Sequence, residues 1–151
     1  MSDSREYPTR PFVGVGVVVL KGESVLLIRR GKAPKAGEWS LPGGSQNVGE
    51  TVRETAAREV REETGVEIGA PDFLEVIDAI IPDGDGRVQY HYTLIDFVAL
   101  WAGGEAEAAD DASHAEWVPL SRVDELELWE KTREVIRKAA RLRELEFPGS
   151  G

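Results

Sequence analysis

A chain of 151 residues suits one domain with a sizeable core, on the usual scale of about 100–200 residues per domain. Its 18 Lys plus Arg stand against 28 Asp plus Glu, and a formal net charge of −10 repels polyphosphates, so a nucleic-acid polymer is not expected as a partner. With no cysteine there is no disulfide scaffold, thiol nucleophile or cysteine-based zinc site, a composition that suits a reducing cytoplasm.

Met1 to Pro11 is polar and lacks the basic start and apolar core of a signal peptide. It is expected as a flexible arm over residues 1–11, ahead of a domain spanning 12–143 and a flexible tail over 144–151. Phe12 to Leu20 (FVGVGVVVL) is β-branched, and Ser24 to Arg30 (SVLLIRR) resumes the apolar character after a Lys21-Gly22-Glu23 turn, which predicts a hairpin. The first of these runs is the longest apolar one, and its nine residues are too few to cross a bilayer, so no membrane partner is expected. Gly14 and Gly16 mark either the close approach of a ligand or another backbone, or simple tight packing. Arg29, Arg30, Lys32 and Lys35 form the one basic cluster, and each is read either as a substrate contact or as a solvated loop charge. Trp39 follows, with a base-stacking reading and a loop-anchoring reading both open.

The stretch from Gly44 to Val66, GSQNVGETVRETAAREVREETGV, organises the rest. Pro42, Gly43, Gly44 and Gly49 mark a loop with backbone freedom, whereas Glu50 to Thr64 is rich in Glu, Ala and Arg and reads as a helix ended by Gly65. At roughly 100° per residue, Glu59, Glu62 and Glu63 share one face, and Ala57, Val60 and Thr64 form an adjoining flank that can pack. Like charges so placed weaken an isolated helix by a few tenths of a kcal/mol. Either the face is merely solvated or something compensates, and clustered hard oxygen ligands suit Mg²⁺ or Mn²⁺. Glu50, nine residues before Glu59, falls on the opposite side of a continuous helix.

Beyond this stretch, Phe73 to Ile81 (FLEVIDAII) reads as a strand, Pro82-Asp83-Gly84-Asp85-Gly86 as a turn, and Arg87 to Trp101 as a long strand apolar on both faces from Thr93 onward. Such a strand requires cover on both sides. His91, between two tyrosines, reads as structural. Gly103 to His114 is small and acidic and reads as a loop before a short strand, Glu116 to Leu120; Ser121 reads as the N-cap of a short turn; and Glu130 to Leu142 reads as an amphipathic closing helix.

The spacing Gly44, five residues, Glu50, seven residues, then Arg58-Glu59-Val60-Arg61-Glu62-Glu63-Thr64-Gly65-Val66 resembles the Nudix box with every fixed position filled. Seven fixed positions match by chance on the order of 10⁻⁹ per starting point at background residue frequencies. The lead-in Trp39 to Gly44 resembles the family as well. The resemblance implies an α/β/α sandwich with a central mixed sheet, and a metal-dependent pyrophosphohydrolase acting on a nucleoside diphosphate linked to another moiety. By position it implies Glu59, Glu62 and Glu63 with the Gly43 carbonyl as holders of Mg²⁺ or Mn²⁺, Arg58 as the residue that orients a neighbouring glutamate, and Glu50 in a peripheral role. A carboxylate from the acidic loop, Asp111 first and Asp110 next, joins the metal site or serves as base in this reading, and Arg29, Arg30 and Trp39 are its substrate contacts. Pro82, sixteen residues past Val66, is a mark of the ADP-ribose pyrophosphatase branch, although it also opens an evident turn. ADP-ribose or a similar nucleotide sugar is therefore the expected small-molecule substrate. Hydrolysis of normal or oxidised nucleoside triphosphates is the alternative, and a non-catalytic nucleotide-binding module a further one. A homodimer is compatible with the resemblance.

Overall fold

The computed structural model describes residues 5–30, 37–109 and 112–146, with the side chains of 145 and 146 excepted. The first predicted hairpin is present: β1 (Phe12–Lys21) and β2 (Ser24–Arg30) pair antiparallel, with Lys21 opposite Ser24. Two strands too short to carry a pattern follow, β3 (Trp39–Ser40) against β2 and β4 (Gly43–Ser45) against β1, where Gly43 lies opposite Gly16 and Ser45 opposite Gly14.

Helix α1 covers Val52–Thr64 rather than starting at Glu50. Thr51 stops it: its hydroxyl accepts from the Glu54 amide at 3.1 Å while its own N–H donates to Glu54 Oε1 at 2.8 Å, a capping box that satisfies two otherwise orphaned donors. Gly65 ends the helix at φ 75°, a left-handed turn that an L side chain resists. The buried side is Thr55, Ala56, Val60, Glu63 and Thr64, so Ala56 takes the place expected of Ala57, and Glu63 leaves the exposed anionic face for the packed one.

After the two-residue β5 (Glu67–Ile68), the second predicted hairpin forms from β6 (Asp72–Pro82) and β7 (Val88–Gly103), closed by Asp83, whose Oδ1 accepts from the Asp85 and Arg87 amides. Strand β8 (Ala112–Pro119) begins four residues before the expected strand, because its pairing with β2 runs from Ser24 opposite Pro119 out to Arg30 opposite Ala112. Ser121 is not an N-cap: a 3-10 helix, Leu120–Glu125, starts after Pro119 with no side-chain cap bond. Helix α2 (Glu130–Glu146) outlasts its expected end at Leu142.

The sheet is mixed, because β1 runs parallel to β7 over Phe12↔Tyr92 to Leu20↔Leu100 while its other pairings are antiparallel. Alternation along β1 shows how it is covered. Val15, Val17 and Val19 join Ala56 and Val60 of α1 in one apolar cluster, while Val18 and Leu20 join Val135, Ile136 and Ala139 of α2 in the other. The helices therefore occupy opposite faces, and β7 is apolar on both because each is covered. Burial of a side chain such as Val60 or Ile136 contributes about 1.5–3 kcal/mol. No helix among the described residues is long and apolar enough to cross a membrane.

Candidate active site

The glycines of the lead-in bring backbone against carboxylate. The Gly43 N–H donates to Glu63 Oε1 at 2.7 Å, and a Cβ on Gly44 would overlap the Glu59 carboxylate. Any larger residue at 44 would push Glu59 away from the loop. Glu63 is buried, and the Glu59 side chain is 16% exposed, whereas Glu62 is 44% exposed.

Arg58 ties the carboxylates together. Its Nε and Nη2 clamp both oxygens of Glu50 at 2.6 and 3.0 Å, Nη1 reaches Glu59 at 2.6 Å and Glu62 at 3.1 Å, and Nη2 also donates to the Ser45 carbonyl at 3.1 Å. All three guanidinium nitrogens are engaged, the planar fork that suits bidentate pairing. Glu50 is thus not on the far side of the helix. Lying before the Thr51 cap, it is free of helical geometry and folds back over α1, also accepting from the Thr55 hydroxyl at 2.7 Å and the Asn47 amide at 3.1 Å. Arg58 first, then Thr55, hold the Glu50 carboxyl at about 2, and Glu50 first, then Glu59, raise the Arg58 guanidinium. Both stay charged across the physiological range.

A cleft of about 830 Å³ opens beside this cluster, lined by Gly43, Gly44, Glu59 and Glu63 at one end and by Trp39, Arg30, Ile77, Pro82 and Trp129 elsewhere. Gly14 and Gly16 form part of its floor, where a Cβ on Gly14 would meet Leu94 at 2.9 Å and one on Gly16 would meet Asp96 at 2.5 Å. Their packing role is therefore to side chains of β7. Trp39 lines the cleft and also packs on the α2-side core, so anchoring and cleft-lining coincide in one ring. Arg30 lines the cleft; Arg29 is exposed, donates to the Gly37 carbonyl at 3.1 Å and lies 5.4 Å from the Trp39 ring. Glu50, Arg58 and Glu62 do not line the cleft and reach it through the Arg58 bond to Glu59. Asp110, Asp111, Lys32 and Lys35 lie outside the described residues.

Among the lining residues that the sequence reading did not single out, Asp96 and Arg5 stand out. Asp96 is 4% exposed, and burial first, then the nearby Glu75 charge, push its carboxyl up to about 7 against the opposing effect of the Gly16 amide. Its signal was available, a lone carboxylate inside TLIDFVALW. Arg5 had no signal, because the segment before β1 carries no periodicity.

Among the described residues, no three Asp, Glu or His side chains are gathered as a ready-made cation site. The donors nonetheless suit a hard divalent ion in kind: Glu59 and Glu63 bring carboxylate oxygens against one glycine loop, with Glu62 joined to Glu59 through Arg58.

Residues 10–139 match the family model described as NUDIX domain. The chain is 39% identical over 116 residues to an ADP-ribose pyrophosphatase of Methanocaldococcus jannaschii, covering 77% of this chain and 66% of that protein, so it spans just under two thirds of that relative's length. It is 33% identical over 122 residues to a putative 8-oxo-dGTP diphosphatase 2 of Mycobacterium tuberculosis, covering 72% of this chain and 81% of that one. Among solved structures, a MutT NUDIX hydrolase from Burkholderia pseudomallei superposes with a TM-score of 0.73 at 29% identity, covering 85% of this chain and 98% of that one.

Proposed function

Because the chain belongs to the NUDIX family, we propose that it hydrolyses the phosphoanhydride bond of a nucleoside diphosphate linked to another group, with ADP-ribose as the substrate. The observation that carries this reading is the contact of the Gly43-Gly44 loop with Glu59 and Glu63 at the end of the cleft. The 39% identical ADP-ribose pyrophosphatase supports the choice of substrate, as does Pro82, which lines the cleft.

In this reading Glu59, Glu62, Glu63 and the Gly43 carbonyl hold Mg²⁺ or Mn²⁺, which when bound supplies positive charge against the diphosphate oxygens and eases deprotonation of water. The chain's own residues do the rest. Arg58 holds Glu59 and Glu62 in register, and Glu50 anchors Arg58 in turn. Trp39 and Arg30 line the part of the cleft that receives the nucleotide, while Arg29, on Trp39, stands at its margin. Water attacks one phosphorus, its proton passes to a carboxylate, and the bridging P–O bond breaks to leave AMP and ribose 5-phosphate. Asp111 is the proposed acceptor of that proton: Ala112, next to it in the chain, pairs with Arg30 of the cleft lining.

A second reading, hydrolysis of normal or oxidised nucleoside triphosphates, is favoured by the 33% identical putative 8-oxo-dGTP diphosphatase 2. Turnover of ADP-ribose, other nucleotide sugars, dinucleotides and nucleoside triphosphates, each with Mg²⁺, Mn²⁺ or chelator, separates the two. Chelator-sensitive release of AMP and ribose 5-phosphate from ADP-ribose is the expected result. Turnover confined to triphosphates selects the second reading. Silence across the panel, with thermal stability raised by one nucleotide, moves the protein to the non-catalytic binders.

A further inference from the structure

The segment before β1 is tied to the β6–β7 hairpin chiefly through Tyr7. The Tyr7 amide donates to the Gln89 carbonyl at 2.7 Å, its hydroxyl donates to Asp83 Oδ2 at 2.8 Å, and the Arg87 guanidinium lies 4.3 Å from its ring centroid. Gln89 adds a bond to Glu6 at 3.0 Å. Tyr7 is also the one non-glycine among the described residues with positive φ, 51°, a conformation that a side chain with a Cβ disfavours and that these contacts must hold.

The consequence of that bend is the position of Arg5. Its guanidinium lies 4.4 Å from the Phe12 ring centroid, Nη1 donates to Ser45 Oγ at 3.0 Å, and the residue lines the cleft. Ser45 is two residues beyond Gly43 on β4, roughly 7 Å along an extended strand. Among the described residues Arg5 has a neutral hydroxyl as its polar partner, which leaves donors of the guanidinium for an anion. On a chain of net charge −10, a ligand with two phosphates needs local cations to enter.

We propose that Arg5 is a substrate-binding residue, held at the loop end of the cleft by Tyr7, where its guanidinium pairs with a phosphate oxygen of the substrate's diphosphate. Tyr7 is a positioning residue in this arrangement. The proposal rests on the reading of the cleft as a diphosphate site.

The test compares the full chain with Arg5→Ala, Arg5→Lys, Tyr7→Phe and the Arg5→Ala/Tyr7→Phe pair. It measures kcat and KM on whichever compound of the panel is turned over, and calorimetric binding of inorganic pyrophosphate with Mg²⁺. Arg5→Ala should raise KM at least tenfold while kcat changes less than twofold, as loss of a charged hydrogen bond predicts, and it should weaken pyrophosphate binding by a similar factor. Arg5→Lys should recover part of the loss. Tyr7→Phe should raise KM about threefold alone and add nothing to Arg5→Ala, the non-additivity of residues acting through one contact. Unchanged KM and pyrophosphate affinity in Arg5→Ala overturn the proposal, as does a parallel fall in kcat and melting temperature that Lys fully repairs, which marks a packing role on Phe12. If no nucleotide is turned over, the substrate reading fails on its own. The pyrophosphate arm then still decides Arg5: binding in the parent and its loss in Arg5→Ala sustain the proposal, and equal binding, or none in the parent, ends it.

Discussion

The two helices cover opposite faces of one sheet with similar apolar stripes, yet they use their charges differently. On α2, Arg137 pairs at 2.6 Å with Asp124, which is 67% exposed, and Arg133 donates to the carbonyls of Val123 and Leu126. Those contacts fasten the 3-10 segment to the helix: the Arg133 side chain, 13% exposed, is engaged by backbone carbonyls, while the carboxylate of the ion pair, Asp124, stands in water. On α1, the Arg58 side chain is 20% exposed and is shared by Glu50, Glu59 and Glu62 against a loop with no side chains at Gly43 and Gly44. Drawing Glu50 and Glu59, 15% and 16% exposed, out of water around one cation costs desolvation, while Glu62 stays 44% exposed. The carboxylates that fasten the fold at α2 stay in solvent, whereas the proposed site on α1 holds Glu50 and Glu59 largely out of it.

The comparison breaks most visibly at Glu62. Glu62→Gln removes a negative charge from the shared cluster without changing volume, so turnover with Mg²⁺ should fall on the order of 10³-fold, the scale of charge stabilisation by a bound metal. The melting temperature in chelator should hold or rise, because repulsion between clustered glutamates is relieved. The lost Arg58–Glu62 pair, 3.1 Å and partly exposed, is worth little. Steady-state kinetics and thermal melts on the same preparation check both halves. A variant that melts much earlier yet keeps its turnover per folded molecule would make Glu62 a structural residue.

Asp96 sharpens the contrast, because among the described residues it is the one buried carboxylate placed on the α2 side of the sheet, lying in the strand ladder opposite Glu75, which pairs with Lys138. Its carboxyl titrates near 7 in the folded chain and near the ordinary value of about 4 when unfolded. Below pH ~4 both states hold the proton and there is no penalty. Between about 4 and 7 the folded state keeps a proton that the unfolded state has released, so stability falls as pH rises, to a ceiling of about 4 kcal/mol above 7. Asp96→Asn should therefore match the parent near pH 4 and exceed it by about 2 kcal/mol at pH 8, allowing for relaxation and water entry. Urea unfolding at pH 4, 6 and 8 measures this, and a difference that stays constant with pH would remove the buried charge as its cause.

Legibility from sequence followed how locally each feature is determined. Helix α1 was readable because its Glu, Ala and Arg content and Gly65 are properties of the segment itself, and both hairpins because apolar runs flank evident turns. Strands β3 and β4 were not, since two or three residues have no period and form because β2 and β1 offer them edges. Strand β8 reached back to Ala112 for the same reason, its first residues being Ala-Ser-His-Ala with little strand preference of their own. Glu50 was misplaced by extending helical geometry through Thr51, whose hydroxyl competes for the backbone and ends the helix there. The box glutamates were legible as a set, but the burial of Glu63 against the Gly43 amide depends on where the loop packs. Asp96 was overlooked because a strand apolar on both faces was the stronger pattern around it, although a lone carboxylate in such a strand was itself the anomaly.

The smallest expected effect lies on α2. Asp124→Ala removes the 2.6 Å pair with Arg137 and the longer 3.6 Å approach to Arg133, both on an exposed carboxylate. Exposed pairs of this kind are worth about 0.2–1 kcal/mol, because water already solvates each charge and the long side chains lose entropy when paired. Arg133 keeps its bonds to the Val123 and Leu126 carbonyls, so the 3-10 segment stays fastened. The melting temperature should fall by about 1–2 °C in dilute buffer, by less at 1 M salt, where the screening length shrinks to about 3 Å, and turnover should not change. A loss of activity here as large as that of Glu62→Gln would mean that α2 reaches the reacting atoms through its ion pairs, and the division of labour between the two helices would have to be abandoned.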